Sequence, residues 1–233
     1  MFRPTLRSLA VLGFAITGFA LLSVAEPVIT PPGLSPGALY RLAFVTSDTH
    51  DALSNDISVY NAFVTAQASQ DTTLNALNLT WQAIASTASV DAYQNIGASF
   101  TVPIYNLAGQ LVASGSASLW SGNDLANPID VNQFGDTVPG YIWTGTLPDG
   151  SGLTSHELGS AFPVFAFAGA VNGNWIENGF GEETGDASDS AAGILGISPV
   201  LVAGNELAAP EPGTVGLMML GGISFAVVLA LKK

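Results

Sequence analysis

The chain is 233 residues long, with 5 Lys and Arg against 18 Asp and Glu, no cysteine and a formal net charge of −13, yet its mean hydropathy is +0.42. So few cations exclude a protein that neutralises a nucleic-acid backbone. The missing cysteines exclude disulfides, thiolate zinc sites and thiol catalysis together.

The apolar and acidic residues separate along the chain. Residues 1–25 carry a short basic front (Arg3, Arg7), an apolar run from Leu9 to Leu22, and Ser23 and Ala25 at a small-x-small site. This pattern predicts a secretory signal peptide cut after Ala25 by signal peptidase, the alternative being an uncleaved anchor. Without residues 1–25 and 210–233 the chain keeps 17 acidic residues and one basic one, Arg41, a net −16.

A Pro/Gly-rich leader, 26–38, precedes Leu39 to Thr46, whose apolar and β-branched content predicts a strand near the middle of a sheet. Leu53, Ile57, Tyr60, Val64 and Ala68 then recur at helical spacing, with Asp51, Ser54 and Asn55 as candidate caps for a helix of about four turns. Further strands are expected at 79–85, 101–105, 110–113, 141–146 and 164–167. Asn106 to Gly109 forms a hairpin turn, and Pro148-Asp149-Gly150 marks another turn. The expectation is a single exported α+β domain over 39–203, with a linker at 204–209.

Between Leu39 and Val202 the succession "YRLAFVTS", a helix, "LTWQAIAS", "VPIYNLAGQLVA", "YIWTGTLPDG", "VNGNWIENG" and "LGISPVLV" resembles bacterial secreted domains of the C-type-lectin-like or endostatin-like class. The resemblance implies an early strand and helix, long loops, and two Trp-bearing strands late in the domain.

The residues able to carry chemistry are few. His50 and His156 are the only histidines, and neither stands in a hydrolase, metalloprotease or phosphate-loop motif, so both read as surface-loop residues. Glu177, Glu182, Glu183, Asp186 and Asp189 fall in one glycine-rich stretch. They form an irregular candidate calcium loop, since calcium takes about six to eight oxygen ligands, or else a solvated acidic loop. Asn123, Asp124, Asn127 and Asp130 form a lesser oxygen-rich group. Trp81 and Trp143 lie in apolar strand contexts and read as core. Trp120 and Trp175, flanked by Ser, Gly and Asn, read as partly exposed candidate sugar platforms.

At the C-terminus Pro210-Glu211-Pro212 precedes an apolar stretch from Gly213 to Leu231 and then Lys232-Lys233. The stretch spans about 28 Å as a helix, close to the hydrocarbon thickness, with its positive end retained inside. This tripartite tail, 210–233, resembles the PEP-CTERM sorting signal of Gram-negative bacteria that make exopolysaccharide, the alternative being a plain anchor. The resemblance implies recognition by an exosortase-type membrane protease that removes the tail near Pro-Glu-Pro. The location implied is the inner membrane in transit, then the cell surface or matrix, with membrane contact only through this helix. Three functions follow in order: a non-enzymatic surface, matrix or biofilm protein in contact with exopolysaccharide; a lectin-like carbohydrate-binding module, with or without calcium; and a polysaccharide hydrolase working through two of the many carboxylates.

Overall fold

The computed structural model describes residues 26–97, 100–179 and 191–204. The signal segment ending at Ala25, the tail with Pro210, Glu211, Pro212, Lys232 and Lys233, and the acidic residues Glu182, Glu183, Asp186 and Asp189 lie outside them. Among the described residues no helix is long and apolar enough to cross a membrane.

The domain is α+β. In chain order it has β1 (Leu39–Val45), α1 (Ile57–Ala68), α2 (Thr72–Ala76), β2 (Gln82–Ala83), α3 (Ala92–Asn95), β3 (Ile104–Asn106), β4 (Leu111–Ala113), α4 (Ser116–Leu119), β5 (Tyr141–Trp143), β6 (Phe165–Phe167), β7 (Leu195–Ile197) and β8 (Leu201–Val202). The main sheet runs β2-β7-β1-β3-β4, with β8 also paired to β1, and β5 and β6 form a separate two-stranded ribbon. Among the strand pairs of this sheet in the described residues, β1 with β3 is parallel and the others are antiparallel.

β1 is central because it has no polar face to offer water. Leu42 and Phe44 enter a cluster with Tyr60 and Val64 of α1 and with Trp81. Ala43 and Val45, pointing the other way, join Ile104, Val112, Leu195 and Ile197. A strand buried on both sides reads as a continuous apolar run rather than an alternation. Phe44 meets Trp81 edge to face at 5.0 Å, and burying each ring contributes about 2–3 kcal/mol before packing specificity is counted.

The helix after β1 starts later than its apolar spacing predicts. Asp51 Oδ1 accepts the Leu53 N–H at 3.2 Å and Ser54 Oγ accepts that of Asp56 at 3.1 Å. These local turns hold residues 51–55 outside the helix, and Leu53 is exposed. The cap is Asp56, in extended backbone, accepting from Ser58 N at 2.9 Å. Tyr60, Val64, Gln67 and Ala68 then face inward. The expected strand at 79–85 contributes only Gln82 and Ala83 to the ladder. The expected hairpin forms, with Gly109 at φ +75 and its N–H donating to Asn106 O at 2.9 Å. The second Trp-bearing strand does not: residues Gly173–Trp175 form a 3₁₀ turn capped by Asn172. The leader is part of the domain, since Val28 N–H donates to Leu107 O at 2.8 Å and Ile29, Leu34 and Ala38 pack on the core.

With no disulfide available, side-chain amides link distant segments. Gln133, fully buried, accepts the Ser47 N–H at 3.0 Å and donates to Ser47 Oγ at 2.6 Å and Gln67 Oε1 at 3.1 Å. Gln67 and Gln70 both donate to Asp48 Oδ2, at 2.9 and 3.1 Å, which holds that carboxyl below the usual carboxylate range. Asn61 and Asn95 pair reciprocally at 2.9 and 3.0 Å, and each also bonds the backbone of Ala83.

Arg41, the one cation of the body, is 4 % exposed. Its guanidinium donates to Ser198 O and Ile96 O at 2.7 Å each and to Gln82 Oε1 at 3.4 Å, and it lies 4.9 Å from the Phe100 ring centroid. Burial pulls its pKa down to about 10, so it stays charged at neutral pH, held by carbonyl dipoles instead of a carboxylate. Beside it Ser198 replaces a ladder group: its Oγ accepts the Leu42 N–H at 2.9 Å and its own N–H donates to Leu42 O at 2.9 Å. This one-residue irregularity lets β7 and β8 lie along the same edge of β1.

Candidate functional site

Trp120 follows α4, whose first residue Ser116 anchors it by donating to Phe100 O at 3.1 Å and accepting the Phe100 N–H at 2.9 Å. The Trp120 ring is half-buried and stacks on Trp175 at 5.9 Å with 28° between planes. Trp175 is only 2 % exposed. The expectation of an exposed Trp175 is therefore corrected: its polar neighbours stand on a 3₁₀ turn that drives the ring inward, and it backs Trp120 rather than meeting a ligand. Trp81 and Trp143 are core residues, at 1 % and 4 % exposure, as their apolar contexts predict.

In front of Trp120 is a pocket of about 270 Å³ lined by Tyr93, Ser116, Ala117, Trp120 and Asp149. The turn that carries Asp149 is fixed on both sides. Gly150 N–H donates to Leu147 O at 2.9 Å, Tyr93 N–H to Gly150 O at 3.1 Å, and Gly152 N–H to Asp91 Oδ1 at 2.7 Å. Gly150, at φ +85, leaves no room for a side chain, because a Cβ there would lie 2.8 Å from the Trp120 ring and 2.9 Å from Tyr93 Cβ. Asp149 accepts from Ser151 N at 3.0 Å and Ser151 Oγ at 2.6 Å, and these bonds hold its carboxyl below its ordinary range. The Trp120 indole N–H is buried and has no acceptor. The pocket thus offers an aromatic wall, a phenol, a hydroxyl and a carboxylate, and no cation. Sequence reasoning singled out Trp120 but missed Tyr93, Ser116 and Asp149; the turn signal at 148–150 was the only local hint of the last.

The remaining candidates fall elsewhere. Glu177, at the end of the 3₁₀ turn, is the one described member of the acidic loop, and its neighbours Asn178 and Gly179 bond the backbone of Phe165 on β6. After the acidic stretch, Gly193 bonds Tyr141 and Trp143 on β5, so the described residues on its two sides lie along opposite edges of the ribbon. Among the described residues no group of three or more His, Asp or Glu side chains stands close enough to hold a metal. In the second oxygen-rich group Asn127 Nδ2 donates to Leu111 O at 2.8 Å, a structural bond. His50 is not a simple surface residue: it packs between Tyr60 and Phe63, with ring centroids at 5.4 and 4.7 Å, and its Nδ1 faces Asp51 O at 2.7 Å. His156 Nδ1 faces Phe162 O at 2.7 Å. No protein-family model matches the chain, and no curated protein matches it either.

Proposed function

We propose that this is an exported, non-enzymatic protein of the cell surface or extracellular matrix, and that its domain works by contacting carbohydrate at Trp120. One observation carries the binding reading. A half-buried indole, backed by a second indole, opens onto a small pocket whose other polar groups are Tyr93, Ser116 and Asp149. Sugars present apolar ring faces to aromatic walls and hydroxyls to such groups. The body's net −16 and its one buried cation disfavour anionic polymers, so neutral glycans are the ligand class.

Export and sorting rest on the two chain ends: a signal segment before Glu26, and the Pro-Glu-Pro, apolar stretch and Lys-Lys from Pro210 to Lys233. The pairing of the first and last strands beside long loops supports the C-type-lectin-like arrangement as the finer description of the fold.

A glycan array with neutral oligosaccharides, read with and without chelator, tests the binding. Binding that survives chelator and weakens roughly five- to tenfold in Trp120→Ala is expected. Loss on chelation moves the contact to a calcium site, and no glycan bound under either condition refutes the reading. Mass spectrometry of surface-released protein tests the sorting: a mature C-terminus that still includes Lys233 rules out exosortase-type processing.

A further inference from the structure

The leader, residues 26–38, lies on the domain as a strap that is held as far as its first residue. The Tyr40 hydroxyl donates to Ile29 O at 2.7 Å, Val28 N–H donates to Leu107 O at 2.8 Å, and Pro27 is buried. Ahead of them Glu26 rests its main chain on Gly135. A Cβ at that glycine would lie 2.8, 3.0 and 3.1 Å from the carbonyl carbon, oxygen and nitrogen of Glu26, and at φ +84 the position favours glycine in any case.

The turn beneath Glu26 is fixed by its own bonds. Asn132 Oδ1 accepts the N–H groups of Phe134 and Asp136 at 2.9 and 3.0 Å, Asn132 N–H donates to Asp136 O at 2.8 Å, and Gly135 N–H donates to Asn132 O at 3.0 Å. Asp136, the residue after Gly135, is exposed, and so is Glu26. A cut after Ala25 turns the Glu26 nitrogen from an amide into an α-amine, which is largely protonated at neutral pH. The chain's lysines are Lys232 and Lys233, so within residues 26–209 this is the only primary amine. Arg41 is buried, so, histidines aside, it is also the only cation open to solvent in a segment that carries −16 without it.

We propose that the Gly135 turn is the seat of the mature α-amino group, where the Glu26 ammonium pairs with the Asp136 carboxylate and clasps the strap to the domain. The place of the cut is that of the export reading, on which this rests. While residues 1–25 remain attached, the same nitrogen is a neutral amide with no charge to offer Asp136, so the clasp forms in the processed chain alone. An exposed ion pair is weak when two free side chains must be ordered to make it. Here Pro27, Val28 and Ile29 already hold the strap, so little further conformational freedom is lost. Removal of the signal segment thus stabilises the folded domain as well as releasing it.

The test is thermal melting of the chain through Lys233 in detergent micelles, in three forms. The first is freed at Glu26 by a protease that leaves no extra residue, the second is freed three residues earlier at Ser23, and the third is the first form acetylated near neutral pH, where the α-amine reacts ahead of lysine. At low salt the Glu26 form is expected to melt about 2 °C above the other two, a gap that shrinks in about 1 M salt. Asp136→Asn should remove that gap while leaving the acetylated form unchanged, whereas a merely structural Asp136 would lower both forms equally. Equal melting of the three forms, or a loss in Asp136→Asn that persists after acetylation, overturns the clasp. N-terminal sequencing of the exported protein separates this from the export reading. A start other than Glu26 overturns the clasp together with the cut, and a start at Glu26 with equal melting overturns the clasp while export stands.

Discussion

Replacing Arg41 by methionine removes the donor that serves three buried or half-buried acceptors among the described residues, while keeping most of the side-chain volume. Two of the lost bonds, to Ser198 O and Ile96 O, are 2.7 Å long and charge-assisted; the third, to Gln82 Oε1, is 3.4 Å and weak. Each strong bond is worth about 1.5–3 kcal/mol, and the stranded carbonyls add a desolvation penalty. Methionine regains part of this by relieving the burial of a charge, so with two strong bonds lost the expected net loss is about 3–5 kcal/mol. In a domain spanning residues 26–204, that loss lowers Tm by roughly 10 °C. Arg41→Lys keeps the charge but, with a compact ammonium in place of the fork, serves one carbonyl well, and should lose about half as much. Urea titration alongside calorimetry checks both values. A methionine variant whose midpoint and slope match the parent would refute the reasoning, because it would mean that water or backbone relaxation replaces the guanidinium at no penalty.

Three other outcomes follow from the same packing. Gln133→Leu should lower stability by about 2–4 kcal/mol in chemical denaturation, since Ser47 and Gln67 lose a buried partner to which the new side chain offers nothing. Gly150→Ala, disfavoured by its positive φ and by the Trp120 ring, should shift Trp120 fluorescence and reduce glycan affinity while leaving far-UV circular dichroism unchanged. Asp48, Asp56 and Asp149 are all held below the ordinary carboxylate range by donors of the folded state. Their stabilisation is complete above the unfolded value of about 4 and disappears as pH falls through the folded values. Asp48→Asn should therefore lower Tm at neutral pH and leave it nearly unchanged at acid pH, flattening the acid limb of a Tm-versus-pH curve from above.

What the sequence disclosed was whatever depends on local pattern. β1 was legible because a doubly buried strand must be apolar throughout, and the Asn106 to Gly109 hairpin because its turn needs a left-handed residue. α1 was legible in its inward face and wrong in its start, where Asp51 and Ser54 preferred turns of their own to a helix cap. Trp175 was misread for a related reason: Ser, Gly and Asn around an aromatic ring describe the backbone it sits on, not the side to which the ring turns. The Trp120 pocket was invisible, because it gathers residues far apart in sequence, Tyr93 with Ser116 and Asp149. Nor does composition reveal that Gln67, Gln70 and Gln133 would converge on Ser47 and Asp48.

The placement of β8 has a mechanical consequence. Its two residues pair with the first two of β1, and Ala203 continues the ladder by bonding Ala38. Tension applied at Gly204 across the sheet therefore meets the free end of a short strand and breaks its bonds one after another, a peeling load rather than a shearing one. The peel stops at Ser198, where the hydroxyl, the backbone N–H and the Arg41 clasp act together. A molecule pulled at Gly204 would give up β8 at low force and hold at that knot, lengthening by a few residues while the rest of the sheet stays closed.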